Sequence, residues 1–305
     1  MVRRASLANG PDPRAIANRQ GITAMVGAML CFVINDALVK LASQTLPAAE
    51  LIFVRSLMAS VLVLVAAIVM GAMTRIREIA RGWVAIRAVV DAVATLLYLV
   101  SLFHLQLGTA TAINMTTPLF MTLFAVLFLR ERIGVSLALA TGIGFVGVLL
   151  IVQPAADSFN GYAVLCLLAS VLLSARDLMT RRIHVGIPSI LVTLSTMIAV
   201  TLLAGALSLV QGWAPISFAD LALLAAAAVF LSAAYVLIVR STRHADLSLV
   251  GPFRYSALLF AMAIGFAVWN EVPNALAWFG IALLVGAGIH VLRVSRRSRA
   301  LPPPE

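Results

Sequence analysis

Charge is scarce in this chain: Asp, Glu, Lys and Arg make up 11% of 305 residues, while 62% are apolar. A soluble domain carries about 25% charged and 45–50% apolar residues, so most of this surface has lipid as its solvent. Cysteine is nearly missing, and Cys31 and Cys166 both fall inside apolar runs. They are too few for a disulfide framework and lack a CxxC or His-rich spacing, so both read as packing residues. His104, His184, His244 and His290 are scattered, with no HExxH, and a metal site has no support. There is also no GxSxG, no GxGxxG opening a helix and no P-loop, so serine hydrolysis and nucleotide-driven pumping lack a signal and no cofactor is implied. A net charge of +10 raises the question of nucleic acid, but the basic residues sit between hydrophobic runs and exclude that partner.

What the sequence has in abundance is long apolar runs, near 22–42, 48–70, 83–103, 109–129, 134–152, 160–179, 188–210, 219–239, 247–269 and 275–292. Each approaches the roughly 20 residues needed to cross a bilayer. Turn and breaker residues separate them: Pro47, Gly71, Gly108, Gln153-Pro154, Gly161, Gly186 to Pro188, Gly212 to Pro215, and Pro273. The first run is too long for a signal-peptide core and is expected to be retained. Residues 1–20 and 294–305 read as polar tails, the second basic and then proline-rich.

Basic residues alternate along the chain. They occupy the N-terminus, Arg75/Arg77/Arg81, Arg130/Arg132, Arg181/Arg182, Arg240/Arg243 and the C-terminal Arg cluster, whereas the connections holding Gln44, His104, Asp157, Asp220 and Glu271 have none. Because Lys and Arg are retained on the cytoplasmic side, both termini are expected there, with an even number of spans, in a bacterial inner membrane.

The chain also reads as duplicated. NDALVK at 35–40 matches RDLMTR at 176–181, and TTPLFMTLFAVLFLRERI matches VGPFRYSALLFAMAIGFAVWNEVP, pairing Pro118 with Pro252 and Glu131 with Glu271. Gly142 to Gly147 against Gly280 to Gly286 is a weaker third match. The expected fold is therefore an all-α integral membrane protein of ten transmembrane helices, with residues 21–153 and 154–293 as two five-helix repeats. An odd helix number per repeat inverts the second relative to the first, an arrangement suited to alternating access.

An ionisable side chain at mid-bilayer costs about 2.5–3.5 kcal/mol on insertion scales, so each needs a partner, a wet cavity or a function. The candidates for a solute path are Asn35, Asp36, Arg55, Arg87, Asp91, Tyr98, Asn114, Arg254 and Tyr255. Arg87 and Asp91, four apart on a helix, also fit a structural clamp. Lys40 and Arg176, near span ends, are expected to snorkel, while Glu50, near Pro47, is left open between hydration and a functional role. Arg55 has no opposite charge within a turn of its own helix, so it needs a distant partner or an anionic ligand. Asn114 and Tyr98 fit a cavity lining or helix packing equally, and Thr116 and Thr117 are further polar groups inside a span that could face a cavity or hold helices together.

In order and spacing, NDALVK, ELIFVR, the run ending LFAVLFLRERIG, and VGPFRYSALLFA followed by WNEVP resemble the drug/metabolite transporter superfamily, in its ten-helix branch with two EamA repeats. The resemblance covers nearly the whole chain. It implies a five-plus-five inverted repeat around a central cavity, and transport driven by an ion gradient, such as a coupling proton, or by exchange. It marks Asn35, Asp36, Arg55, Asn114, Pro118, Pro252, Arg254 and Tyr255 as family landmarks. The first-helix ND pair, ELIFVR and GPFRYS look most like branches for uptake of riboflavin or S-adenosylmethionine, with export by the same architecture as the alternative. The expected partners are a small-molecule solute and the lipid bilayer, with the chain acting as a monomer or homodimer. An intramembrane enzyme would need clustered catalytic His, Asp or Cys near one interface, and none is present in the sequence. A channel would differ from a carrier in passing solute without saturation.

Overall fold

The computed structural model describes residues 13–129, 134–153, 160–180, 182–184, 186–244 and 251–300. Arg130, Glu131, Arg132, Pro154, Asp157 and Arg181, which entered the loop-charge and repeat readings, lie outside the described residues. All regular structure among the described residues is helical. It comprises α1 (Pro13–Ala42), α2 (Ala48–Val69), α3 (Gly82–His104), α4 (Leu107–Asn114), α5 (Thr117–Leu129), α6 (Val135–Val152), α7 (Tyr162–Thr180), α8 (Ser189–Gln211), α9 (Phe218–His244), α10 (Ser256–Trp269) and α11 (Ala275–Ala300). Two 3-10 segments, Ala72–Ala80 and Gly251–Tyr255, precede α3 and α10.

Eight helical stretches are long and apolar enough to cross a membrane, and Ala275–Val291 is a shorter apolar one. The ten continuous runs expected from hydropathy are thus not ten continuous helices. The fourth run is broken at Met115 and Thr116 into α4 and α5. Pro118 has no N–H to offer the carbonyl of Asn114, which instead accepts from the Thr117 hydroxyl at 2.7 Å. The Thr116 amide reaches back only three residues, to Ile113. Pro118 then sits in the first turn of α5, where a missing donor costs little. Pro252 occupies the comparable place in the 3-10 turn that opens α10.

Both tails read from the sequence carry helix in part. Helix α1 begins at Pro13, and α11 continues to Ala300 because the segment after residue 292 is rich in Arg and meets no breaker until Pro302.

The dominant packing pairs are α1 on α9, α3 on α7, α2 on α8, and α6 on α11. In the last pair the backbones touch: a Cβ on Gly147 would lie 2.7 Å from the Gly280 carbonyl, and one on Gly280 2.6 Å from that of Gly147. Such an approach is open only to glycine and gains dispersion contact where the hydrophobic effect offers nothing between helices in lipid. Beside this crossing Gln153 and Asn274 exchange side-chain amide bonds of 2.9 and 3.1 Å. Large apolar residues such as Val65, Ile68, Leu149, Leu202, Leu209 and Leu259 face outward, as a lipid-bathed surface requires.

Candidate functional site

Four of the sequence candidates meet between α1, α2 and α3. Asn35 and Asp36 are adjacent on α1, and the Asn35 amide donates to Asp36 Oδ1 at 2.9 Å. Tyr98, from α3, donates its hydroxyl to Asp36 Oδ2 at 2.7 Å. Arg55, from α2, reaches Asn35 Oδ1 at 3.2 Å and the neighbouring Ser56 hydroxyl at 3.4 Å. Arg55 is only 3% exposed, its Nε has no partner, and no carboxylate stands within ion-pair distance of it among the described residues. Asp36 and Tyr98 are half-buried. Asp36 acts on Arg55 through space without touching it, and a buried guanidinium whose hydrogen bonds go to neutral oxygens still has donors for an anion.

Arg87 and Asp91 belong to a second network nearer the opposite end of α3. The Arg87–Asp91 contact expected within the helix is present at 3.6 Å, but the shorter contact to Asp91, 3.1 Å, comes from Arg176 on α7. Arg176 also pairs with Asp177 at 2.7 Å. Arg87 also donates to Thr180 from Nε and to Thr196 from Nη1, and Thr196 donates to Asp91. Arg176 therefore does not snorkel. With two carboxylates beside it inside the bundle, extending to the interface would strip Asp177 of its ion pair and leave Asp91 with only the longer contact to Arg87.

Lys40 also departs from expectation, and the open reading of Glu50 resolves toward burial. Lys40 does not extend to water but forms an ion pair with Glu271, 231 residues away. Glu50 is not hydrated; it is fully buried, with Oε2 accepting the Ala214 amide at 2.9 Å and Oε1 unpartnered. Among the described residues no group of three or more His, Cys, Asp or Glu could hold a metal.

Asn114 ends α4, half-buried beside the helix break. Helix α7 supports that break with a ladder spaced four residues apart: Cys166 to the Ala110 carbonyl at 3.6 Å, Ser170 to Ile113 at 3.1 Å and Ser174 to Thr117 at 3.0 Å. The packing role expected for Cys166 thus carries a weak hydrogen bond, and the two serines are a sequence signal that was missed. Arg254 is exposed in the 3-10 turn, and Tyr255 is buried with its hydroxyl against Gly288. No hydrogen bond joins either to the two networks among the described residues.

Tyr235 was not among the sequence candidates. It lies within electrostatic reach of Arg55, Arg87, Asp91 and Arg176, between the two networks, and packs edge-on to Phe32 at 5.5 Å. One of only four tyrosines, set in the run LSAAYVLIV, it was detectable as a polar aromatic in an otherwise apolar span.

The sequence description of the EamA-like transporter family matches twice, over residues 19–153 and 160–293. The pseudopaline exporter CntI of Pseudomonas aeruginosa strain UCBPP-PA14 is 29% identical over 279 residues, covering 91% of this chain and 98% of that protein. The riboflavin transporter of Vibrio cholerae serotype O1 is 28% identical over 269 residues, covering 87% and 90%. A solved crystal structure superposes with a TM-score of 0.63 at 18% identity, over 93% of this chain and all of its own, and so shares the fold. These names point to transporters and not to enzymes. With both halves matched and many apolar helices in place, the chain is a multi-pass membrane protein of the EamA-like transporter family.

Proposed function

We propose that this chain is a secondary transporter that carries a small organic solute bearing a carboxylate, or an equivalent anionic group, across the bacterial inner membrane by alternating access. The observation that carries the reading is Arg55, a buried cation with neutral partners only and an unpartnered Nε. Asp36 and Tyr98 stand beside it as acceptor and donor for the rest of the solute, and Tyr98 and Tyr235 offer ring faces.

Counting α4 with α5 as one span and α11 as another gives ten spans, five in each family match. The packing supports a two-fold repeat relating α1 to α7, α2 to α8 and α3 to α9, since the α1–α9 contact then maps onto α7–α3 while α2–α8 and α6–α11 map onto themselves; five spans in each half make that repeat inverted. Two such halves rock about the central networks to expose them to each side in turn.

The expected direction is uptake of a vitamin- or cofactor-like solute. S-adenosylmethionine, which carries a carboxylate, suits Arg55 better than riboflavin, which has none. Export is the second reading, favoured by the near-complete match to the pseudopaline exporter. The test is uptake of each labelled compound by bacteria that import neither, with and without this protein. Saturable S-adenosylmethionine uptake, competed by methionine but not by its carboxamide, supports the proposal. Competition by both equally removes the carboxylate, and saturable riboflavin uptake alone refutes the anionic class. Uptake of neither, with the protein in the membrane, moves the reading to export.

A further inference from the structure

At the end of the bundle where α1, α3, α8 and α10 finish, a pocket of about 470 Å³ is lined by Lys40, Gln44, Phe103, His104, Gln211 and Trp269. One of its lining residues, Lys40, belongs to an ionic lock. Lys40 Nζ meets Glu271 Oε1 at 2.5 Å, donates to the Leu105 carbonyl at 2.6 Å, and lies 4.9 Å from the centre of the Trp269 ring. Glu271 Oε2 accepts the Leu107 amide at 2.7 Å. The lock thus ties together the end of α1, the connection into α4 and the end of α10. Directly beneath it, one turn back on α1, lies Asp36 with its Tyr98 and Asn35 partners.

We propose that Lys40–Glu271 is the outer gate of the solute path, closed in this structure, and that the pocket is the vestibule above it. The proposal rests on the alternating-access reading and adds which contact opens. Lys40 is the only lysine in a chain whose other basic residues are all arginine. An ammonium is a compact, strongly hydrated charge without the planar fork that fixes an arginine to a carboxylate, so it exchanges partners readily as vestibule water enters. A second carboxylate is in reach: Asp36, four residues earlier on the same helix face. Opening therefore transfers Lys40 from Glu271 toward Asp36, whose oxygens Tyr98 and Asn35 hold while the gate is closed. Such a contact has two discrete arrangements, as a gate requires.

The gate can be read without any solute. Ala37, buried and three residues below Lys40, becomes the reporter as Ala37→Cys in a background with Cys31→Ser and Cys166→Ser. A membrane-impermeant methanethiosulfonate reagent is applied to right-side-out vesicles. Labelling is slow in this parent. Glu271→Gln, which keeps an oxygen for the Leu107 amide, raises the rate about tenfold, the population shift expected from losing one close charge pair. Lys40→Gln does the same, and the reversed pair Lys40→Glu with Glu271→Lys brings the rate back toward that of the parent. Unchanged labelling in Glu271→Gln at normal abundance overturns the gate, as does acceleration confined to inside-out vesicles. Either result leaves the transport reading standing, whereas absent flux with normal gating counts against transport alone.

Discussion

At the scale of single residues, the two buried arginine sites respond oppositely to neutralisation. Removing Arg55 breaks no ion pair, since its hydrogen bonds go to Asn35 and Ser56 and its effect on Asp36 is exerted through space. Arg55→Gln is therefore expected to reach the membrane at normal abundance while losing an anion contact worth about 1.5–3 kcal/mol, or roughly 10–100-fold in solute affinity. Flux kinetics alongside quantitative blotting check this; equal loss of protein and flux would give Arg55 a folding role instead. Asp36→Asn keeps the shape of the Tyr98 and Asn35 contacts but loses the charge, so if Asp36 carries the coupling proton, uphill accumulation disappears while exchange continues. Unchanged pH dependence of accumulation in that variant sinks the idea. The sequence made Asn35, Asp36, Arg55 and Tyr98 legible because each is a polar group in an apolar run. It did not reveal partners. Lys40 and Arg176 were expected to reach for water because helical spacing reports neighbours only within one helix, whereas Glu271 and Asp91 arrive from others.

Among the helices, Asp91 joins α3 to α7 and α8, and its loss leaves Arg87 and Arg176 facing each other with only hydroxyls and Asp177 nearby. Breaking a buried ion network by removing one partner costs about 3–5 kcal/mol. Asp91→Ala should therefore lower the unfolding temperature in detergent and the membrane abundance far more than Arg55→Gln; normal stability with lost flux would instead place Asp91 in the solute path. The ladder on α7 is milder. Ser170→Ala with Ser174→Ala removes two donors to the carbonyls of the α4–α5 region, worth about 0.6 kcal/mol each by the average for membrane helices. A small fall in unfolding temperature, with no change in solute affinity, is the expected outcome. The break itself was hidden from hydropathy, which averages over a window and runs straight across Met115 and Thr116. Pro118 and the serines spaced along α7 were the available clues, since a proline needs neighbours that satisfy the carbonyls it frees.

For the whole molecule, orientation decides what the gate means. The described connections divide by charge: Arg75, Arg77 and Arg81 lie between α2 and α3 and Arg182 follows α7, whereas residues 43–47, 105–106, 212–217 and 270–274 hold no Lys or Arg. Lys40–Glu271 and the vestibule belong to the side whose connections lack basic residues, which the positive-inside rule places away from the cytoplasm. Composition made this much legible, because loop charge follows from sequence order alone; closing the lock required helices that finish at the same end of the bundle to be set side by side. A fluorescent protein fused after Glu305 should then light up, since it folds in the cytoplasm, and alkaline phosphatase fused within 212–217 should be active, since it needs the far side. If both reporters gave the opposite result, the lock would face the cytoplasm. The same contact would then be the inner gate, and the solute would meet Arg55 first from within, the geometry of an exporter closed on its loading side.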